Sequence, residues 1–188
     1  MAIREIIEAP DPRLKTISQP VETFDAELKT LVDDMFETMY AAHGIGLAAI
    51  QVGEPIRLLV IDLQEEDPDA EPVECEHDGT KHTHPAIKND PRVFVNPEIL
   101  DPSDDLGTYQ EGCLSVPDVY ADVERPARCR VRWQDLEGNA HEEEMTGMMA
   151  VCIQHEMDHL NGILFIDHLS RLKRSMALKK LAKARAAA

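Results

Sequence analysis

The chain has no long hydrophobic run. Its longest stretch free of Asp, Glu, Lys and Arg is Thr38–Gly53, and those 16 residues include His43, Gln51 and three glycines. A membrane-spanning helix needs about 18 consecutive apolar residues, so a transmembrane protein is not expected. The first residues, Met-Ala-Ile-Arg-Glu-Ile-Ile-Glu, lack the apolar segment of a signal peptide and carry too many acids for a transit peptide. A cytoplasmic protein is therefore expected. Cysteine is sparse, at four (Cys75, Cys113, Cys129, Cys152), and in that compartment these read as reduced thiols rather than a disulfide frame. Bases are short as well. Against 36 Asp and Glu there are 19 Lys and Arg, a net charge of −17, which argues against nucleic acid as the default partner. What remains is an ordinary globular mixture. Hydrophobic residues make up 43% of 188, enough for one domain with a real core, and this excludes a disordered acidic polymer.

Periodicity places the main elements. Phe24, Leu28, Leu31, Val32, Met35, Phe36, Met39 and Tyr40 recur on one helical face, with Thr23 or Asp25 as N-cap and Gly44 just beyond the end. Ile56–Asp62 and Val93–Ile99 are rich in branched apolar residues and read as strands. Arg128–Trp133 alternates and returns through Gly138-Asn139 as Ala140–Met145, a hairpin. Met148–Asn161 reads as a second helix ended by Gly162, and Leu169–Ala187 as a third. Glu65–His84 holds eight acids (Glu65, Glu66, Asp67, Asp69, Glu71, Glu74, Glu76, Asp78) and only Lys81 as a base. Such a run predicts a mobile surface loop. Its Cys75, His77, His82 and His84 are metal-binding residue types, but their spacing fits no standard zinc pattern.

The second helix carries chemistry. His155-Glu156-Met157-Asp158-His159 is H-E-x-x-H, and residues four apart sit one turn above each other, so both imidazoles can meet one metal. Glu156 can then reach a water beside that metal and move its protons. A hydrolytic site needs a third protein ligand and an open position. Phe165 occupies the place where the longer zinc-protease pattern wants His, and no glutamate follows Glu156. Asp167 and His168 remain as downstream candidates. Cys152 shares the helical face but lies a full turn below the pair. An upstream thiolate is the better candidate.

Glu111-Gly112-Cys113-Leu114-Ser115-Val116-Pro117 supplies one. Glycine beside Cys113 lets the backbone come close, and the Leu114 N–H would face an oxygen near the metal. A third segment, Gly44-Ile45-Gly46-Leu47-Ala48-Ala49-Ile50-Gln51, has small residues that allow close backbone approach. Its single amide, Gln51, is suited to an oxyanion. It is no phosphate loop, because Lys-Ser/Thr is missing.

The three segments together, in this order, resemble the peptide deformylases, metal hydrolases that remove the formyl group from formyl-methionine of new polypeptides. The likeness runs from about residue 1 to 175. It implies an α+β fold in which antiparallel or mixed sheets pack around a central metal-binding helix, with N-terminal and C-terminal helices. It implies Cys113, His155 and His159 as metal ligands, Glu156 as general acid and base, and Gln51 with the Leu114 N–H at the oxyanion. It further implies a peptide laid along Ile45 and Gly46 as an added strand, with Tyr109 and Cys152 near the methionine pocket. The family's ion is usually Fe2+, with Zn2+ and Ni2+ accepted. Three features depart from the pattern: Ile50 before Gln51, Tyr120 where some bacterial relatives carry an arginine, and the long acidic segment. They bear on peptide preference.

Two other readings stand beside this one, a non-catalytic metal-binding or partner-binding protein and a zinc endopeptidase. The charge also divides unevenly. Residues 171–188 hold Arg171, Lys173, Arg174, Lys179, Lys180, Lys183 and Arg185 and no acid, so residues 1–170 carry −24. The division expected is a catalytic domain over 1–170, with the acidic insertion at about 65–84, and a basic helical tail over 171–188. In bacterial members of the family the C-terminal helix docks on the ribosome, which implies RNA contact through this tail near the nascent-chain exit.

Overall fold

The computed structural model describes residues 2–77 and 80–187, with side chains except at 75–77, 80–82 and 184–187. Helix α1 (Ala26–Ala41) precedes strands β1 (Gly46–Ala48) and β2 (Leu58–Ile61). Then come β3 (Glu65–Glu66), β4 (Val73–His77), β5 (Thr80–His84) and β6 (Ile87–Lys88). The long strands β7 (Arg92–Pro102), β8 (Leu106–Cys113), β9 (Val116–Pro126), β10 (Arg128–Gln134) and β11 (Ala140–Thr146) lead into α2 (Gly147–Leu160) and α3 (Arg171–Ala187). The architecture is α+β. A five-stranded sheet in the order β1-β2-β7-β10-β11 pairs antiparallel throughout, and β8-β9 forms a separate antiparallel pair.

Strand β2 explains the layering. Its four residues, Leu58 to Ile61, are all buried, because successive side chains point to opposite faces and both faces are covered. Leu58 and Val60 pack with Leu28, Leu31, Val32, Met35 and Met39 of α1. Leu59 and Ile61 pack with Ala150, Ile153, Met157 and Leu160 of α2, together with Phe94, Val131 and Trp133. Asp25, rather than Thr23, caps α1: its Oδ1 accepts from the Glu27 and Leu28 N–H groups, both at 3.0 Å. Helix α2 is buried on nearly every side, from Ala150 to Met157 and again at His159 and Leu160. It lies between the sheet and a second core in which Val116, Val119 and Val123 of β9 meet Leu14, Phe165 and, from α3, Leu181. The hairpin β10-β11 closes through Asp135–Asn139, with Gly138 at φ 82° and the Asp135 carboxylate accepting from the Glu137 and Asn139 N–H groups.

One sequence expectation changes here, and one element appears that the sequence pattern does not place. The acidic run 65–84 is not a plain loop: β3 pairs with β6 and β4 with β5, antiparallel. Ladder hydrogen bonds satisfy the backbone without burying the acids, which stay exposed at Glu65, Glu66 and Glu74. The Cys75, His77 and His82 side chains lie outside those described, and His84 is exposed. The added element is the β8-β9 hairpin, which periodicity does not announce. Leu106 and Tyr120 are exposed, and strand positions include Gly107, Gly112 and Pro117. No helix among the described residues is long and apolar enough to cross a membrane.

Candidate metal centre

Three donor atoms converge where β8 turns into β9 against α2. Sγ of Cys113 and ring nitrogens of His155 and His159 all lie within 4.8 Å of one another. Cys113 is half-buried at the end of β8, where a register shift between Glu111 and Cys113 breaks the ladder. The histidines follow from helical spacing, with ring centroids 5.1 Å apart. Nε2 of His159 lies 3.2 Å from Cys113 Sγ, while its buried Nδ1 has no hydrogen-bond partner among the described residues. Asp167 and His168, the downstream alternatives, are held elsewhere. Asp167 pairs with Lys15 and Arg174, and His168 lies 2.7 Å from Asp158.

Neighbouring side chains orient the candidate ligands. Glu111 Oε2 is 2.8 Å from His155 Nδ1, which leaves the other ring nitrogen for the centre. Arg125, from β9, clasps Glu111 through Nε and Nη2 and reaches Asp158 Oδ2 at 2.8 Å through Nη1. Burial works against the Glu111 carboxylate, but hydrogen bonds from His155 and Arg125 and the Arg125 charge outweigh it and hold the group at about 2. Burial likewise works against a charged His155, yet Cys113, Glu111 and Glu156 together favour a positive charge there. A soft thiolate, two imidazoles and surrounding anionic groups therefore fit one divalent transition-metal ion.

Glu156 is the unspent group. It is buried, its Oε2 has no hydrogen-bond partner among the described residues, and burial pushes its carboxyl up to about 7. Gly46 makes room for it. A Cβ there would sit 2.5 Å from Glu156 Oε1 and 2.9 Å from Cys152 Sγ. Cys152 is buried beside this contact, stays out of the ligand set, and is held as a thiol by burial and the Glu156 charge. Gln51 lies in the short 3-10 helix Ala49–Val52, fully buried. Its Oε1 accepts from the Ala48 N–H at 2.8 Å, so its amide NH2 points to Ser115 Oγ at 3.0 Å and towards Cys113 Sγ at 3.7 Å. The N-terminal segment ties the two loops together: Ile7 N–H donates to Gln51 O and Ala9 N–H to Ser115 O.

These groups open on a cleft of about 570 Å3 whose walls include Ile45, Gly46, Gln51, Tyr109, Cys113, Leu114, Cys152, His155 and Glu156. Every candidate site residue except His159, which is buried behind them, thus lines one cavity. Tyr120 stands at its rim with its ring against Gly112, and Ile50 is absorbed into the core. A wider groove of about 810 Å3 follows the other flank of α2 and includes none of the three ligands. Sequence reasoning did not find Arg125 or assign Glu111. The signal available was one acid in Leu106–Cys113 and one base beside the acids Asp118, Asp122 and Glu124 in Val116–Pro126, each indistinguishable locally from a solvated charge.

This is the site of a metallohydrolase: a Cys-His-His cluster with two buried imidazoles, open on one side and flanked by a buried glutamate whose Oε2 has no partner among the described residues. The chain belongs to the polypeptide deformylase family, whose model matches residues 3–175. It is 73% identical to a peptide deformylase of Novosphingobium aromaticivorans, with the whole of both chains covered, and 68% identical to one of Erythrobacter litoralis, again over the whole of both. The structure is similar to that of a peptide deformylase from Legionella pneumophila (TM-score 0.82, 44% identity, 98% of this chain and 96% of that one). It is also similar to that of the Ehrlichia chaffeensis peptide deformylase in complex with actinonin (TM-score 0.83, 38% identity, 98% of each).

Proposed function

We infer that the chain is a metal-dependent hydrolase that removes the N-terminal formyl group from formyl-methionine of newly made polypeptides and releases formate. The observation that carries this reading is the buried Glu156 carboxylate beside the Cys113, His155, His159 set, its Oε2 without a hydrogen-bond partner among the described residues. A divalent ion held by those three residues supplies Lewis acidity, lowering the pKa of a water and polarising a carbonyl oxygen. We assign it as Fe2+ natively, with Zn2+ or Ni2+ as substitutes.

The protein's own groups do the rest. Glu156, held near pH 7 by burial, takes a proton from the attacking water and passes it to the departing amine nitrogen. As water oxygen bonds to the formyl carbon, the C–N bond breaks, giving formate and a free N-terminus. The Gln51 amide NH2 and the Leu114 N–H face the oxygen that gains charge. Gln51 cannot swing away, because Ala48 holds its other end. Ile45 and Gly46 present the edge along which the peptide lies, and Tyr109 and Cys152 flank the methionine side chain.

The deciding experiment incubates the metal-loaded protein, prepared anaerobically with its metal content measured, with a formyl-Met peptide and its acetylated twin. Formate release from the first alone supports the reading. Internal cleavage would support an endopeptidase instead, and no reaction a metal-binding or partner-binding role.

We place this activity in the cytoplasm, in a catalytic unit over residues 1–170. The basic helix 171–188 is proposed to orient that unit on ribosomal RNA. Ala177 and Leu181 of α3 pack inward, while Arg171, Lys173, Arg174, Lys179 and Lys183 are not buried. Phosphate contacts made by such a helix weaken with salt. Ribosome binding that is unchanged on deleting 171–188 would sink that assignment.

A further inference from the structure

Gln64 stands outside the cleft yet holds its edge. Its half-buried side chain donates from Nε2 to the Gly44 carbonyl at 2.9 Å. Its backbone is in the left-handed region, at φ 52°, a conformation that a non-glycine residue adopts only when its surroundings demand it. The surroundings are a hub at Asp62, which is wholly buried. Asp62 Oδ1 accepts from the Gln64 and Asp90 N–H groups, both at 3.1 Å, and Oδ2 accepts from the Tyr40 hydroxyl at 2.6 Å. Residues 64 and 90 flank the segment from β3 to β6 that contains the acidic insertion, so the hub fixes where that segment leaves the sheet. Across from it, His43 is also left-handed, at φ 55°.

The consequence falls on Ile45. Its carbonyl accepts from the Asp62 N–H at 2.9 Å, just beyond the first β1-β2 pair, Gly46 with Ile61. In a regular strand the N–H of a residue points to the same side as its carbonyl. Here the preceding carbonyl, Gly44 O, is drawn to Gln64. A trans peptide unit sets C=O and N–H on opposite sides, so the Ile45 N–H turns away from Gln64. Among the described residues it donates to no protein acceptor, although Ile45 lines the cleft.

We propose that Gln64 is a positioning residue: by holding Gly44 O it turns the Gly44–Ile45 peptide unit so that the Ile45 N–H is offered to the backbone of a peptide beyond its formyl-methionine. This rests on the deformylase reading above. It assigns to Gln64 a part in binding the residues that follow methionine, and none in the chemical step.

The test compares wild type, Gln64→Gly and Gln64→Glu, each as full-length metal-loaded enzyme, on formyl-Met-Ala-Ser and on formyl-Met amide. Glycine removes the donor while suiting φ 52°; glutamate keeps the shape but cannot donate. Both variants should raise KM for the longer peptide about three- to tenfold with kcat nearly unchanged, the effect of one lost hydrogen bond. Neither should change kcat/KM for the amide by more than about twofold. Equal losses on the two substrates, or no loss on the longer one, would overturn the proposal. A wild type that releases formate from neither substrate would instead overturn the deformylase reading itself.

Discussion

Glu111 and Arg125 meet through two hydrogen bonds, Nε to Oε1 at 2.5 Å and Nη2 to Oε2 at 3.0 Å, with side chains only 4% and 5% exposed. The same Glu111 oxygen that accepts from Nη2 faces His155 Nδ1, so an ion pair made by one hairpin orients a candidate ligand on a helix. Glu111→Gln keeps the shape but weakens both contacts. It should reduce metal affinity about 10- to 100-fold, as losing a ligand's hydrogen-bond partner does elsewhere. Competition with a chelator measures this, and a superimposable titration would contradict it. Glu111→Ala should also lower stability by about 3–5 kcal/mol in urea unfolding, because it strips a buried guanidinium of its main partner.

Glu156 and Gly46 form a linked prediction. Glu156→Ala should retain the metal and lose nearly all turnover, since no other carboxylate lines the open side of the centre within that wall of α2. Gly46→Ala should act through the same group. The added methyl would lie 2.5 Å from Glu156 Oε1 and must displace it. Metal content should stay near wild type while kcat falls. A Gly46→Ala enzyme with unaltered kcat would show that the carboxylate has room to spare.

Gln51→Leu should leave metal binding largely intact and cost about 10²–10³ in kcat, the usual effect of removing one oxyanion donor. Its side chain is buried and bonded to Ala48 and Ser115, so some loss of stability accompanies the change. Kinetics at saturating peptide separate the two, and a rise in KM alone would argue against an oxyanion role.

Cys129 gives a pH prediction far from the centre. Burial against Met145 and its neighbours pushes its thiol up to about 11, whereas an unfolded thiol sits at about 8.5. The raised value means that the folded chain holds this proton more tightly. Its contribution is fully present below about pH 8.5 and is lost as pH rises through about 11. Cys129→Ala should be less stable than wild type at pH 7.5 because of the cavity it leaves, and that deficit should shrink towards pH 10.5. Urea unfolding at both values checks it. A constant deficit would mean that the thiol does not titrate in this window.

The local features were legible in the chain because short-range physics makes them. The i, i+4 spacing of His155 and His159 needs only a helix, and α1 and α2 follow from apolar periodicity within a residue or two of their observed ends. The double-sided burial of β2 is written in four consecutive branched residues. Family motifs extended this to Cys113, Gln51 and Glu156 as candidates. The acidic insertion misled, since a charge run reports which side chains stay in water and says nothing of whether the backbone pairs with itself. The β8-β9 pair was unreadable for a related reason: its buried positions mix Val116, Val119 and Val123 with the charged Glu111 and Arg125, so apolar alternation is weak.

By itself, then, the sequence determined which residue types are available for the chemistry, the helix that carries two of them, and a body without a membrane-spanning run. Tertiary structure alone decided which of those residues meet. Cys113 reaches His159 across 46 positions of sequence, and Glu111 reaches His155 across 44, because the β8-β9 turn is packed onto α2. The burial that raises Glu156, the pairing that sustains Glu111 and the turned peptide unit before Ile45 have the same origin. Each is a property of neighbours distant in the chain: burial raises the Glu156 carboxyl, Arg125 clasps Glu111, and Gln64 donates to the Gly44 carbonyl.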